Sequence, residues 1–128
     1  MPNTPIRVMY TRVRVSVTGG LIMESEKTTE AYLRDRVKAL GGRSYKWVSP
    51  GCSGVPDRIV ILPGGRAVFV ELKSEGKTST DQQKKRQAEL RALGCTVYAD
   101  IDTKEKVREI LDHEIQSAWE VSYEKTRI

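Results

Sequence analysis

A twenty-residue stretch from Gly54 to Lys73 carries two apolar runs, Ile59–Leu62 and Ala67–Leu72, on either side of Pro63-Gly64-Gly65. Apolar runs of this length around such a turn signal read as a β-hairpin. A three-residue loop sets Leu62 opposite Arg66, and the same register sets Asp57 opposite Glu71. Facing side chains lie roughly 5 Å apart at Cβ, where like charges repel. Strand alternation puts Lys73 on the same side as Glu71. Two carboxylates and an amine therefore meet at one end of an otherwise apolar ribbon. That arrangement opposes folding unless a positive group sits between the acids, and a divalent cation is the simplest candidate.

The chain of 128 residues is long enough for one domain with its own core. Its 38% hydrophobic and 30% charged residues are those of an ordinary soluble globular protein. No apolar run approaches the ~20 residues of a membrane span, and the N-terminus has no continuous apolar signal region. An intracellular protein with no membrane partner is expected. Net charge is +5, and Arg7, Arg12 and Arg14 supply +3 of it within residues 1–23. Overall charge is thus a weak pointer to nucleic acid. A local cluster says more: Lys77, Lys84, Lys85, Arg86 and Arg91 against Asp81 and Glu89. This run is either a solvated helix face or, beside a metal site, a surface for phosphates. Cys52 and Cys95 lie outside any Cys-x-x-Cys pair, and the single histidine, His113, leaves too few ligands for zinc. Both cysteines are expected as free thiols, with Cys95 buried at the head of a strand.

The elements follow in order. Residues 25–40 predict a helix, capped by Ser25 or Thr28 and ended by Gly41-Gly42, with Leu33, Val37 and Leu40 inward. Extending that stripe backwards reaches Glu30 and then Glu26. Glu30 is either a first-turn acid complementing the helix dipole or a carboxylate aimed at a site. Residues 44–49 predict a short strand, with Tyr45 and Trp47 on one face and Lys46, a candidate site residue, on the other. The hairpin follows, then a helix over 81–93 capped by Ser79 or Thr80, a strand over 95–99, and a helix from Asp102 or Thr103 to about Ile115. His113 falls off the apolar stripe of this last helix and reads as a surface residue. The order α-β-β-β-α-β-α predicts an α/β domain with a central mixed sheet flanked by helices. Three segments are expected: a leader or extra strand over 1–23, a nuclease-type domain over 24–115, and a C-terminal extension over 116–128 that is either helical or docked on another surface. Met23 stands directly before the patterned domain and would serve as an alternative start. The glycine-rich loop Pro50–Gly54 is not a Walker loop, since no Gly-Lys-Ser/Thr follows it. No nucleotide cofactor is expected.

Asp57 and Glu71 with the backbone carbonyl of Leu72 are a plausible hard-oxygen set for Mg²⁺ or Mn²⁺. Such an ion lowers the pKa of a bound water and polarises a phosphate. Lys73 is placed to orient that water or to offset charge developing on phosphoryl oxygens. Glu30 would complete the ligand shell or bind a second ion.

The motifs Glu30-Ala-Tyr-Leu, Tyr45-Lys46-Trp-Val-Ser-Pro-Gly51, Gly54-Val-Pro-Asp57-Arg, Phe69-Val-Glu71-Leu-Lys73, Gln82 and Leu93-Gly94 occur in this order. In them the chain resembles the VRR-NUC family of PD-(D/E)XK nucleases, in its small stand-alone phage or prophage form. The resemblance covers residues 24–112. It implies a restriction-endonuclease-like core and Mg²⁺- or Mn²⁺-dependent DNA cleavage in the cytoplasm of a bacterial host. It carries over Asp57 and Glu71 as metal ligands, Lys73 as the catalytic lysine and Glu30 as the helix-borne acid. Gln82 or, shifted by one, the adjoining Gln83 matches the family's helix glutamine. Lys46, Lys77, Lys84, Lys85 and Arg86 are the expected DNA contacts. Stand-alone members are similar to homodimeric resolvases acting on branched DNA such as four-way junctions. The alternative is a DNA-binding or assembly module that keeps the fold without catalysis, and no acid or lysine position is broken here to favour it.

Overall fold

The structure, a computed structural model, describes residues 23–126. The leader or extra strand expected over 1–23 lies, up to residue 22, outside them. Seven elements follow in order: α1 (Glu26–Ala39), β1 (Arg43–Lys46), β2 (Arg58–Leu62), β3 (Arg66–Leu72), α2 (Asp81–Ala92), β4 (Val97–Ile101) and α3 (Lys104–Thr126). The four strands form one mixed sheet in the order β1-β2-β3-β4. β1, β2 and β3 pair antiparallel, and β4 pairs parallel to β3.

The hairpin has the register its turn demands. Leu62 pairs with Arg66, Val60 with Val68 and Arg58 with Val70. Gly65 N donates to Leu62 O at 3.1 Å across the turn. Even-numbered side chains of β2 and β3 (Val60, Leu62, Val68, Val70 and Leu72) are buried. They form the core with Leu33 and Val37 of α1 and Val107, Ile110 and Leu111 of α3. Both helices thus cover one face of the sheet. The other face carries Ile59, Ile61 and Phe69, all half-buried, and Trp47 packs on Phe69 with ring centroids 5.2 Å apart. Alternation gives the two faces different chemistry: Asp57 and Glu71 belong to this second, thinly covered face.

Three boundaries differ from expectation. The first strand stops at Lys46, and the ladder's last bond lies one pair beyond it, Trp47 N donating to Asp57 O at 2.8 Å. β4 begins at Val97, not Cys95. The preceding helix closes in a Schellman motif, with Gly94 at φ +94°. Gly94 N donates to Arg91 O at 3.0 Å and Cys95 N to Leu90 O at 2.9 Å. Cys95 is thereby spent on the helix end and is half-buried instead of buried. The last helix passes Ile115 and runs to Thr126, a stretch that holds no glycine or proline to stop it. His113 is exposed, as expected. Among the described residues no helix is long and apolar enough to cross a membrane.

Candidate active site

Asp57 and Glu71 meet where the hairpin frays. Asp57 stands just before β2, with its backbone oxygen held by Trp47 N. Its Oδ2 accepts from Leu72 N at 2.8 Å, so the carboxylate is pinned across the strand gap beside Glu71. Glu71 is almost wholly buried, at 1% exposure. Its Oε2 lies 3.6 Å from Lys73 Nζ and accepts from Gln83 Nε2 at 3.0 Å. Its Oε1 is buried with no hydrogen-bond partner. Burial pushes the Glu71 carboxyl up to about 8; the negative charge of Asp57 acts in the same direction, and Lys73 opposes it.

Gln83 ties this cluster to α2. Thr80 caps the helix, and Gln83 is the third residue of a capping box. Gln83 Oε1 accepts both from Thr80 N at 2.8 Å and from Lys73 Nζ at 2.7 Å. One side-chain amide therefore closes the helix end, fixes the lysine and donates to the buried glutamate. Gln82, the other of the two candidate glutamines, points elsewhere: its Nε2 donates to Ser53 Oγ at 2.5 Å. With Thr80 as cap, not Ser79, the helical phase brings Gln83 inward. Ser79 is itself engaged, its N and Oγ both donating to Asp100 Oδ1 at 2.7 Å.

Glu30 also differs from expectation. It pairs with Arg58, Oε2 to Nη1, at 3.2 Å. Arg58 is buried and donates to Ser44 Oγ at 3.0 Å and Ser44 O at 2.9 Å. Arg58 follows Asp57 directly, so alternation sends their side chains to opposite faces, and Glu30 meets the arginine instead of the acids. One turn earlier on the same stripe, Glu26 senses the cluster. Desolvation raises its carboxyl above the ordinary range; the negative charge of Asp57 adds to this and Lys73 counters it. Lys46 pairs in register with Arg58 and so shares that face, not the face of Asp57. Lys77, Lys84 and Lys85 are exposed. Arg86 is committed, its Nε donating to Ser53 O at 3.0 Å and its Nη1 to Glu89 Oε1 at 2.8 Å.

No family model matches the sequence. A solved structure described as a VRR_NUC domain superposes with a TM-score of 0.64 at 32% identity, covering 69% of this chain and 95% of that one. A curated protein of Acyrthosiphon pisum secondary endosymbiont phage 1, "Putative nuclease p44", is 48% identical over 72 residues, which are 56% of this chain and 77% of that protein. The chain belongs to the VRR_NUC nuclease family. The mixed sheet flanked by helices is the fold of that family.

Of the two adjoining glutamines, Gln83 is the one that reaches this cluster, and Glu26, on the stripe of Glu30, is an acid to which the sequence assigned no role. Gln83 was signalled by Thr80-x-x-Gln83, a capping box that fixes which glutamine turns inward. Glu26 was signalled by the i, i+4 spacing from Glu30 on one stripe. The Asp57–Glu71 pair offers oxygen donors of the hard type that divalent ions take. Among the described residues no group of three or more His, Cys, Asp or Glu side chains is assembled. The acids are a pair, and one of their buried oxygens lacks a partner.

Proposed function

We propose that this VRR_NUC protein is a Mg²⁺- or Mn²⁺-dependent DNA endonuclease that hydrolyses phosphodiester bonds at Asp57, Glu71 and Lys73. The observation that carries this reading is the buried Glu71 carboxyl beside Asp57, with one oxygen unpartnered and a lysine 3.6 Å away. A structural ion pair would satisfy both oxygens; a cation site leaves one available. Asp57 Oδ1, Glu71 Oε1 and the Leu72 carbonyl would hold the ion. When bound, it would lower the pKa of a water and polarise the phosphate.

The chain's own groups do the rest. Lys73 has three N–H donors, and Gln83 Oε1 takes one of them. The others can meet a phosphoryl oxygen and the incoming water. In hydrolysis water attacks phosphorus, the bond to the leaving oxygen breaks, and that oxygen takes up a proton. Lys73 offsets the charge that builds up on the phosphoryl group. Gln83 keeps the ammonium from collapsing fully onto Glu71. Glu26, at the mouth of the site, is a further acid available to the ion or to the water, and Glu30 acts through Arg58 as a support of β2.

The substrate we infer is branched DNA, such as a four-way junction, cut by a homodimer in the cytoplasm of a bacterial host. Two sites on a two-fold axis suit paired nicks on symmetric strands. The thinly covered sheet face, with Tyr45 at 55% exposure beside Trp47 and Ile59, offers a self-association surface. Exposed Lys77, Lys84 and Lys85 offer phosphate contacts that carry no base readout. The test is cleavage of linear, flapped, gapped and four-way DNA with Mg²⁺ or Mn²⁺ over a range of protein concentrations. Cleavage that prefers four-way DNA and rises more than linearly with protein supports the full reading. Equal cutting of all forms, linear in protein, removes the branched substrate and the dimer.

A further inference from the structure

The connection between β1 and β2 delivers Asp57, and its middle lies on the first turns of α2. Three contacts converge there on two consecutive residues. Gln82 Nε2 donates to Ser53 Oγ at 2.5 Å, and Arg86 Nε donates to Ser53 O at 3.0 Å. Gly54, at φ +86°, approaches so closely that a Cβ on it would stand 2.8 Å from the Gln82 carbonyl oxygen. Only glycine takes both that conformation and that approach without strain. Pro56 then enters the interior, and Asp57 follows.

The next residue of the same helix, Gln83, grips Lys73 and Glu71 of the β3 side. One turn of α2 is thus fastened to both halves of the site. Gln83 fixes the half carried by β3, and Gln82 with Arg86 fixes the half carried by the loop. Arg86 belongs to the basic run Lys84-Lys85-Arg86, which reads from sequence as a phosphate surface. Its geometry differs from that of its neighbours: Lys84 and Lys85 are exposed, while Arg86 spends its Nε on Ser53 O and its Nη1 on Glu89.

We propose that Gln82, Arg86 and Ser53 form a latch that positions Asp57 against Glu71, and that Arg86 serves this latch instead of contacting substrate phosphate. These are positioning residues; none touches the reacting atoms. The effect on catalysis rests on the nuclease reading above, whereas the effect on Asp57 does not. With the latch open, Asp57 keeps only the bonds from Trp47 N and Leu72 N. A displacement of about 1 Å at a reacting centre can cost about 100-fold in rate.

The test compares wild type with Arg86→Ala, Ser53→Ala, Gln82→Ala and the Ser53→Ala/Gln82→Ala double variant. Amide hydrogen exchange is read at Trp47 and Leu72, whose N–H groups bond to Asp57. DNA affinity is measured without divalent ion at several salt concentrations, and single-turnover cleavage with Mg²⁺. For Arg86→Ala we expect exchange at both amides to rise about tenfold or more and cleavage to fall about 10- to 100-fold. DNA affinity and its salt slope stay at the wild-type value. The double variant loses no more than the worse single variant, because Ser53 and Gln82 share one contact. Unchanged exchange in Arg86→Ala overturns the latch, as does a salt slope reduced by about 0.9, the loss of one phosphate contact. Should Arg86→Ala unfold, Ser53→Ala decides, since it removes one hydroxyl from an exposed loop residue. Wild-type protein that cuts no DNA would remove the nuclease reading while leaving the exchange result to decide the latch.

Discussion

Glu71 is buried beside another carboxylate with one oxygen unpartnered, and its proton balance makes the conflict measurable. In metal-free protein its folded-state pKa is raised to about 8, first by burial. The stability it contributes is therefore present below the ordinary carboxylate range and is lost as pH rises through about 8. Melting temperature of the metal-free protein should fall across that window. Mg²⁺ or Mn²⁺ should raise it most at the alkaline end, where the carboxylate is free to bind the ion, and Glu71→Gln should abolish both effects. The two glutamines should also separate. Gln83→Ala removes a cap contact and the bond to Lys73 together, so it should cost about 1 kcal/mol of stability and most of the cleavage rate. Gln82→Ala should spare the stability, as a thermal melt would show. That Asp57, Glu71 and Lys73 meet was legible in sequence because turn length and period-2 alternation fix which residues face each other. Which of Gln82 and Gln83 turns inward, and that Glu26 senses the acids, was not, because helical phase depends on which of Ser79 and Thr80 caps the helix and on how α1 meets the sheet.

Elements were legible where punctuation was strong and displaced where it was shared. Gly41-Gly42 and Pro63-Gly64-Gly65 end elements where expected. Gly94 ends α2 too, but its Schellman closure consumes Cys95 and delays β4 to Val97. Length of α3 was hidden because amphipathicity fades after Ile115 while nothing breaks the helix. Its best-anchored point is Glu114, buried, with Arg66 Nε and Tyr98 OH both donating to its carboxylate. Burial alone would raise the Glu114 carboxyl, but the bonds from Arg66 and Tyr98 outweigh it and hold the group below the ordinary range. Its contribution to stability is thus present above the ordinary carboxylate pKa and lost as pH falls through the folded value. Glu114→Gln should cost about 1–3 kcal/mol at neutral pH. It should also flatten the acid limb of the melting curve, with little effect on cleavage.

At the scale of the whole molecule, the sheet has two unequal sides. α1 and α3 cover one with the apolar core, and the other carries the acids and a strip from exposed Tyr45 to half-buried Phe69. The order of elements and the mixed sheet followed from patterning alone. Which face stays open did not, because that depends on where α2 lands. If the strip joins two copies, Tyr45→Asp should halve the particle mass seen by light scattering without unfolding the chain; an unchanged mass would place the dimer contact elsewhere or nowhere. The central claim is that Asp57 and Lys73 perform hydrolysis instead of holding the fold. It is tested most directly by cleavage of four-way DNA with Mg²⁺ by Asp57→Ala and Lys73→Ala, alongside their melting curves and DNA affinity. Cleavage should vanish in both variants while folding and binding stay close to wild type. Cleavage that survives both substitutions would contradict it.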